Sequence, residues 1–228
     1  MTAVQITEIF HSLQGESTRA GEPCVFVRLT GCNLRCRWCD TEYAFHGGKR
    51  MSIPDVLAVV HRFHCRLVEI TGGEPLLQPA PVAELAQALL DGGFTVMLET
   101  SGERDLSIVP PAVVKIVDVK CPASGEAGAF LESNLARLQP WDELKFVLAD
   151  RDDYDFARAF IARHRLNGAS PTLLFSPAFR QDAAGERSAR QCLLDPSDLA
   201  AWMLQDAVPA RLNLQIHKFI WNPALHAV

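Results

Sequence analysis

The sequence lacks several features that would assign it to a special class of protein. No apolar run is long enough to span a membrane, and residues 1–5 do not begin the basic and apolar pattern of a secretory signal peptide. No run of Lys or Arg stands out and the formal net charge is −5, so we expect neither a membrane nor a nucleic acid as a partner. No repeat, low-complexity tract or linker is present, which predicts a single domain over residues 1–228.

Two further absences concern phosphate-binding loops and disulfides. Neither of the glycine-rich phosphate-binding patterns, G-x-G-x-x-G and G-x-x-x-x-G-K-[ST], occurs in the chain. The cysteines number seven, and three of them cluster, which is unlike the paired cysteines of a disulfide framework. The sequence therefore indicates reduced thiols and a cytoplasmic location.

The cysteine cluster is the most informative motif that is present. Cys32, Cys36 and Cys39 have the spacing C-x3-C-x2-C. Three thiolates hold three corners of a cubane iron–sulfur cluster and leave the fourth iron open for a small molecule. On spacing alone, a zinc site with a distant fourth ligand, or cysteines that are buried close together by chance, explains the pattern equally well.

Strands and helices alternate along the apolar pattern, which predicts an α/β fold with a mostly parallel sheet. A helix is predicted over residues 130–138 and a last strand over residues 211–216. Polar residues follow the predicted ends of successive strands. Because the carboxyl ends of parallel strands share one edge of the sheet, we expect these residues to converge on one active site. They are the cysteine loop, Gly72-Gly73-Glu74-Pro75, Glu99-Thr100-Ser101-Gly102 and Asp118-Val119-Lys120-Cys121.

Three features along the chain suggest that it binds a ligand, and each also has a simpler structural explanation. Arg28 lies within an apolar strand, where its guanidinium suits a ligand carboxylate or lies on a half-exposed face. Gln14 and Glu16 offer an amide and a carboxylate to a ligand, or belong to a solvated turn. The two glycines before Glu74 expose backbone donors and acceptors that suit an amino-acid moiety, or form an ordinary turn.

The cysteine motif with Trp38 before its third cysteine, followed by Gly72-Gly73-Glu74-Pro75, resembles the radical S-adenosylmethionine (SAM) superfamily. The resemblance implies a partial (β/α)6 barrel, a [4Fe–4S] cluster on the three cysteines, and SAM at the open iron. The segment from Gly72 to Glu74 matches the one that receives the SAM amino group. The SAM contacts implied by the resemblance are Trp38, Cys39, Asp40, Gly72, Gly73, Glu74, Gly102 and Lys145.

Further segments along nearly the whole chain resemble the 7-carboxy-7-deazaguanine synthase family. That family converts 6-carboxy-5,6,7,8-tetrahydropterin to 7-carboxy-7-deazaguanine, with loss of ammonia, on the way to queuosine, a modified tRNA base. It uses SAM, the cluster and Mg2+. The segments are Leu13-Gln14-Gly15-Glu16, Arg28, Cys39-Asp40-Thr41, Glu99-Thr100-Ser101-Gly102, Asp118-Val119-Lys120, Leu144-Lys145-Phe146-Val147 and Gln215-Ile216-His217-Lys218.

This resemblance assigns substrate and metal roles to individual residues. Arg28 matches the position that binds the substrate carboxylate, and Thr41 matches a magnesium ligand, as expected for a hard cation that prefers oxygen. Pro223 stands where some short members of the family end, whereas this chain continues, and residues 178–191 match nothing in the family pattern. The remaining substrate contacts implied by the resemblance are Leu13, Gln14, Gly15, Glu16, Thr100 and His217.

The resemblance also implies partners, and two rival functions remain to be distinguished from it. A flavodoxin- or ferredoxin-type protein is expected to supply the electron, and a homodimer is expected because dimers are common in the family. The first rival is a radical SAM activating enzyme that makes a glycyl radical on a partner protein. The second rival is a zinc-stabilised binding module.

Overall fold

The fold was analysed in a computed structural model, which describes residues 2–168, 170–180, 188–222 and 225–227. Over these residues nine strands form one sheet, in the order β3-β1-β2-β4-β5-β6-β7-β8-β9. The strands are β1 (Ala3–Leu13), β2 (Pro23–Leu29), β3 (Lys49–Ser52), β4 (Leu67–Gly72), β5 (Thr95–Thr100), β6 (Val114–Asp118), β7 (Glu143–Leu148), β8 (Thr172–Pro177) and β9 (Arg211–Leu212). The α-helices are α1 (Ile53–His61), α2 (Pro79–Asp91), α3 (Arg151–Arg163), α4 (Pro196–Gln205) and α5 (His217–Ile220).

The sheet is mixed but mostly parallel. Strands β2 and β4 to β9 are parallel to one another, whereas β1 runs antiparallel to both β2 and β3. The sheet is open, since β3 and β9 stand at its two edges and do not pair with each other. This arrangement confirms the predicted α/β class with a mostly parallel sheet that forms only part of a barrel.

Three of the five described α-helices begin at a side-chain cap. The Ser52 hydroxyl accepts a hydrogen bond from the Asp55 backbone N–H, and Asp150 and Asp195 cap α3 and α4 in the same way. Their apolar faces cover one side of the sheet, where alternate strand residues such as Val27 and Ile70 are fully buried. Among the described residues, no helix is both long enough and apolar enough to cross a membrane.

Two predicted elements differ from the structure. Residues 130–138 contain the short 3₁₀ helix Glu132–Arg137 in place of an α-helix. Its buried Asn134 donates side-chain hydrogen bonds to the carbonyls of Gly102 and Arg104, and these tertiary bonds replace a regular helical path. The predicted strand 211–216 pairs only over β9, because Gln215 then turns to bond Glu16 and the chain enters α5.

A β-bulge in β1 decides which side chains face the concave side of the sheet. The pairing with β2 shifts between Ile6, which is opposite Leu29, and Glu8, which is opposite Arg28. Before the shift, Val4 and Ile6 pack under the helices, whereas Phe10 beyond it packs on the opposite face. The extra residue therefore reverses the alternation and places Glu8 on the same face as Arg28.

The segment between β1 and β2 runs across the concave side of the sheet. The Thr18 backbone N–H donates to the Glu143 carboxylate on β7 at 3.1 Å, and the Gly15 carbonyl accepts from the Ile216 N–H at 2.9 Å. Residues near the start of the chain thus contact the last strands. These contacts close the bottom of a space that the open sheet alone would leave exposed.

Candidate active site

A cavity of about 230 Å³ lies at the carboxyl ends of the parallel strands. Its wall combines side chains from β1, β2 and β4 to β7 with the cysteine loop (residues 32–41) and the C-terminal segment (residues 213–220). The polar residues at the predicted strand ends therefore converge on one site, as expected. Glu74 and Gly102 are the predicted site residues that do not line the cavity. Those that do are Leu13, Gln14, Gly15, Glu16, Arg28, Cys32, Cys36, Trp38, Cys39, Asp40, Thr41, Gly72, Gly73, Thr100, Lys145 and His217.

The cysteine loop is held in place by backbone contacts on both of its sides. The Arg35 guanidinium donates to the Cys32 carbonyl at 2.8 Å, and the Arg37 N–H donates to the Ser124 carbonyl at 3.0 Å. The Gly31 carbonyl accepts from the Glu74 N–H at 2.8 Å. These bonds fix the backbone of the loop, so that all three cysteines reach the cavity wall.

The three thiols surround a shared space, as an iron–sulfur cluster requires. Among the described residues, no group of three or more His, Cys, Asp or Glu side chains converges closely enough to hold one metal ion. A cubane makes a different demand, since each thiolate binds a separate iron and the three need only surround a shared space. Cys32, Cys36 and Cys39 meet that demand because all three line the same cavity.

The electrostatic surroundings of the thiols are mixed. Burial raises the pKa of Cys32 and Cys36, and it raises the pKa of Cys39 to about 11. The Lys120 ammonium acts against burial at Cys36 and Cys32, and it is itself bound by an Asp118 oxygen at 2.7 Å. In the absence of a bound metal the three thiols are therefore protonated at neutral pH, and metal binding must displace their protons.

Gly73 lets the end of β4 approach the cysteine loop. A Cβ atom at Gly73 would lie 2.2 Å from the Gly31 carbonyl oxygen and 2.7 Å from Cys32 Cβ. Neither distance is compatible with a side chain, so only glycine allows the two loops to pack here. The bare backbone of Gly72 and Gly73 is thereby exposed in the cavity wall, next to the cysteines.

Glu74 has a structural position outside the cavity. Its carboxylate is fully buried and accepts hydrogen bonds from Leu76 N, Thr100 Oγ1, Ser101 N and Ser101 Oγ at 2.7–2.9 Å. It therefore ties the end of β4 to the end of β5. Gly102 lies just beyond, where a Cβ would come within 2.6 Å of Val117. The SAM contacts implied for Glu74 and Gly102 stay predictions.

A buried cluster of charges forms the floor of the cavity. Lys145 on β7 donates to Glu16 at 2.9 Å and also contacts Glu99 on β5. Gln14 donates to Glu69 on β4 and accepts from the Glu16 N–H at 2.9 Å. We call Glu16, Glu69, Glu99 and Lys145 the floor cluster; it sets three carboxyl groups around one ammonium.

The carboxyl groups of the floor cluster differ in protonation. Burial opposes ionisation of Glu16, but Lys145 and His217 outweigh it and lower its pKa to about 2. Burial and the neighbouring Glu99 raise the pKa of Glu69 well above its usual range. Glu16 is therefore an ionised acceptor at neutral pH, whereas Glu69 is held toward its neutral form.

The C-terminal segment completes the wall. Gln215 donates to Glu16 at 2.7 Å, and the imidazole of His217 lies directly against Gly15. Lys218 donates to Asp40 at 2.6 Å, and the Thr41 hydroxyl donates to the other Asp40 oxygen at 2.8 Å. Burial opposes ionisation of Asp40, but Lys218 outweighs it and holds the pKa of Asp40 well below its usual range.

Glu69 was not singled out from the sequence, and Asp118 was named there only as part of a strand-end motif. Glu69 is a charged residue in an otherwise apolar strand, which is the same signal that drew attention to Arg28. Asp118 faces the cavity with a buried oxygen, Oδ1, that has no hydrogen-bond partner among the described residues. Pro223 and most of the unmatched loop, residues 181–187, lie outside the described residues.

Known proteins resemble this chain over nearly its whole length. Residues 26–118 match the family model described as the radical SAM superfamily. The chain is 56% identical to the 7-carboxy-7-deazaguanine synthase of Koribacter versatilis, over 99% of this chain and 100% of that protein. It is 42% identical to the 7-carboxy-7-deazaguanine synthase of Chlorobaculum tepidum, over 99% and 97% of the two chains.

A solved structure has the same fold. The crystal structure of QueE from Escherichia coli superposes with a TM-score of 0.72, covers 94% of each chain and shares 24% sequence identity. This likeness concerns the fold, whereas the full-length sequence relatives define the family. The chain belongs to the 7-carboxy-7-deazaguanine synthase family of radical SAM enzymes.

Proposed function

We propose that this chain converts 6-carboxy-5,6,7,8-tetrahydropterin to 7-carboxy-7-deazaguanine, with loss of ammonia, as a step toward queuosine and related 7-deazapurines. The observation that supports it most is the meeting of three thiols, Arg28 and the floor cluster in one cavity. The thiols suit a cluster, the guanidinium suits a carboxylate, and the floor suits a heterocycle with several donors and acceptors.

The cofactor end of the cavity is formed by the cysteine loop and the ends of β4 and β6. When bound there, the cluster and SAM supply the hydrogen-abstracting radical chemistry of the superfamily. Cys32, Cys36 and Cys39 hold the cluster, and the bare backbone of Gly72 and Gly73 receives the amino-acid part of SAM. The unpartnered Asp118 oxygen offers an acceptor for a hydroxyl or ammonium group of the same ligand.

The substrate end is formed by Arg28 and the floor cluster. The guanidinium of Arg28 binds the substrate carboxylate through paired hydrogen bonds. The amino-pyrimidinone edge of the pterin presents N–H donors, which the ionised Glu16 accepts. Lys145 keeps Glu16 ionised and oriented, so that the ring is fixed in one pose and water is excluded from the reacting carbons.

Mg2+ is proposed to bind at Thr41, between the two ends. Thr41 and Asp40 provide oxygen donors in the cavity wall, and Mg2+ commonly completes its shell with water and substrate oxygens rather than with a protein cage. Asp40 is paired with Lys218, so its contribution to the metal is expected to be indirect.

The partners of the enzyme follow from the same proposal. The cluster needs one electron from a flavodoxin- or ferredoxin-type donor. The chain is proposed to act in the cytoplasm as a single radical SAM domain that assembles into a homodimer.

Anaerobic turnover tests the proposed function. Reconstituted protein is incubated with SAM, Mg2+, a reductant and 6-carboxy-5,6,7,8-tetrahydropterin, and the products are analysed by mass spectrometry. We expect 7-carboxy-7-deazaguanine without net consumption of SAM. A radical that forms only on an added partner protein would instead support the glycyl-radical activating enzyme. Zinc without iron or sulfide in the purified protein would support the binding module.

Variants test the assigned roles. Arg28→Ala is expected to raise the KM for the pterin, and unchanged kinetics would contradict the carboxylate contact. Thr41→Ala is expected to weaken the dependence on Mg2+, and a magnesium dependence like that of the wild type would contradict the metal contact.

A further inference from the structure

Arg28 is the one cationic side chain in the cavity that we assign to the substrate carboxylate, so its orientation matters. It is mostly buried, and its guanidinium lies 5.6 Å from the ring centroid of Phe10 and 6.0 Å from that of Tyr43. A long, flexible side chain binds a ligand well only if its conformation is already restricted. The contacts behind Arg28 show how the restriction is achieved.

Glu8 and Tyr43 contact the guanidinium, and neither of them lines the cavity. Arg28 Nε donates to Glu8 Oε1 at 2.8 Å, and the Tyr43 hydroxyl donates to the same oxygen at 2.7 Å. Burial raises the pKa of Tyr43, so the hydroxyl stays protonated and remains a donor. Glu8 itself does not line the cavity, whereas Arg28 does.

The Arg28 nitrogen that binds Glu8 decides which edge of the guanidinium remains for a ligand. A guanidinium can bind a carboxylate through Nε and one terminal nitrogen, or through its two terminal nitrogens. Because Glu8 occupies Nε, the edge formed by the two terminal nitrogens is the one directed to a second carboxylate. The β1 bulge is required for this arrangement, since without it Glu8 would face the helices.

We infer that Glu8, supported by Tyr43, is a positioning residue that fixes Arg28 for end-on binding of the substrate carboxylate. The inference rests on the proposed function, since it takes the carboxylated pterin as the ligand. Tyr43 lies in the 3₁₀ helix Glu42–Ala44, two residues after Thr41. The segment that carries the cluster ligand Cys39 and the proposed magnesium ligand therefore also supports the carboxylate contact.

Two ligands separate this role from a purely structural one. Dissociation constants are measured anaerobically for 6-carboxy-5,6,7,8-tetrahydropterin and for 5,6,7,8-tetrahydropterin, which lacks the carboxylate. Wild-type protein is expected to prefer the carboxylated ligand at least about tenfold. Glu8→Gln is expected to reduce this preference about tenfold, and Tyr43→Phe about threefold, with little change for the unsubstituted ligand.

Control variants make the test specific. Asp155→Asn breaks an exposed pair with Arg151 on α3 and should leave both affinities unchanged. Glu8→Gln combined with Arg28→Met should lose no more of the preference than Arg28→Met alone, because Glu8 acts through Arg28. Circular dichroism and thermal unfolding of each variant identify any that fail to fold.

The outcomes separate the two proposals. If wild-type protein shows no preference for the carboxylated ligand, the carboxylate contact of the proposed function fails, and the role of Glu8 fails with it. If wild-type protein shows the preference but Glu8→Gln and Tyr43→Phe retain it, or weaken both ligands equally, only the positioning role is wrong.

Discussion

At the residue scale, the cavity depends on charged side chains that stand in otherwise apolar strands. Arg28 on β2, Glu69 on β4 and Lys145 on β7 are all largely buried and face the concave side of the sheet. Burying a charge is costly unless it is paired or neutralised. Arg28 is paired with Glu8, Lys145 is paired with Glu16 and Glu99, and Glu69 is held toward its neutral form.

Glu69→Gln is expected to stabilise the protein at neutral pH. The pKa of Glu69 is raised in the folded state, so between its unfolded value near 4.5 and its folded value the unfolded chain binds fewer protons and stability falls as pH rises. Glutamine does not ionise, so the variant does not lose stability in this way as the pH rises. Urea unfolding should show a gain in the free energy of unfolding at pH 7 and almost none at pH 4. A gain in stability that is equal at both pH values would contradict the raised pKa of Glu69.

Lys145→Met is expected to be strongly destabilising. It leaves Glu16 and Glu99 buried or half-buried near Glu69 without their shared cation, which costs about 3–5 kcal/mol for a buried pair. The free energy of unfolding measures this loss. Lys49→Met on the exposed edge strand β3 is the matched control and should change stability by less than about 0.5 kcal/mol. Adding Glu16→Gln should recover part of the loss, and no recovery would argue against the pairing.

At the element scale, connections between strands position the site more than the strands themselves do. The bulge in β1 turns Glu8 toward Arg28, and Gly73 brings the end of β4 against the cysteine loop. Gly15 has a similar role between the β1–β2 segment and the C-terminal segment, because its missing side chain makes room for the imidazole of His217.

Gly15→Ala is expected to displace the C-terminal segment. The added Cβ would lie 1.9 Å from His217 Nδ1, so the imidazole must move and the Gln215–Glu16 hydrogen bond is strained. We expect a loss of about 1–3 kcal/mol in unfolding free energy. Hydrogen exchange over residues 213–220 should become faster. His217→Gly in the same chain removes both the imidazole and the His217 Cβ, which would lie 2.9 Å from the added atom, and so restores the space. Hydrogen exchange that is as fast in this double variant as in Gly15→Ala alone would contradict this packing.

At the scale of the whole molecule, an open sheet becomes an enclosed site because distant segments meet across it. The β1–β2 segment contacts β7 and the C-terminal segment, and Lys218 joins that segment to Asp40 in the cysteine loop. The cysteine loop, the β1–β2 segment and α5 therefore depend on one another. A ligand that binds only the folded chain should stabilise all of them together.

Cluster reconstitution is expected to raise the thermal midpoint by about 5–10 °C, as for a ligand bound well above its dissociation constant. The measurement is anaerobic thermal unfolding, with visible absorption as the signal for the cluster. Cys32→Ala, Cys36→Ala or Cys39→Ala should abolish both the absorption and the shift. Cys65→Ala, a cysteine that does not line the cavity, should keep both. Loss of the cluster in Cys65→Ala, or its retention in Cys36→Ala, would reassign the ligands.

The sequence by itself determined where the candidate site lies and most of the fold. The spacing of Cys32, Cys36 and Cys39, the glycines after β4 and the alternation of strands and helices are local patterns, because metal ligation, backbone exposure and hydrophobic periodicity are each encoded by neighbouring residues. These patterns predicted the parallel sheet and the edge at which the site lies. For Arg28 they left a contact with a ligand carboxylate and a half-exposed face both open, and the structure buries it in the cavity wall.

Only the tertiary structure decided how these parts act on one another. The bulge that pairs Glu8 with Arg28, the raised pKa of Glu69 and the binding of Glu74 to Ser101 all depend on residues that are distant in the sequence. The same is true of the failed helix at residues 130–138, where Asn134 bonds backbone carbonyls about 30 positions away. Local propensity carries no record of such partners, because burial and hydrogen bonding between distant segments exist only once the chain has folded.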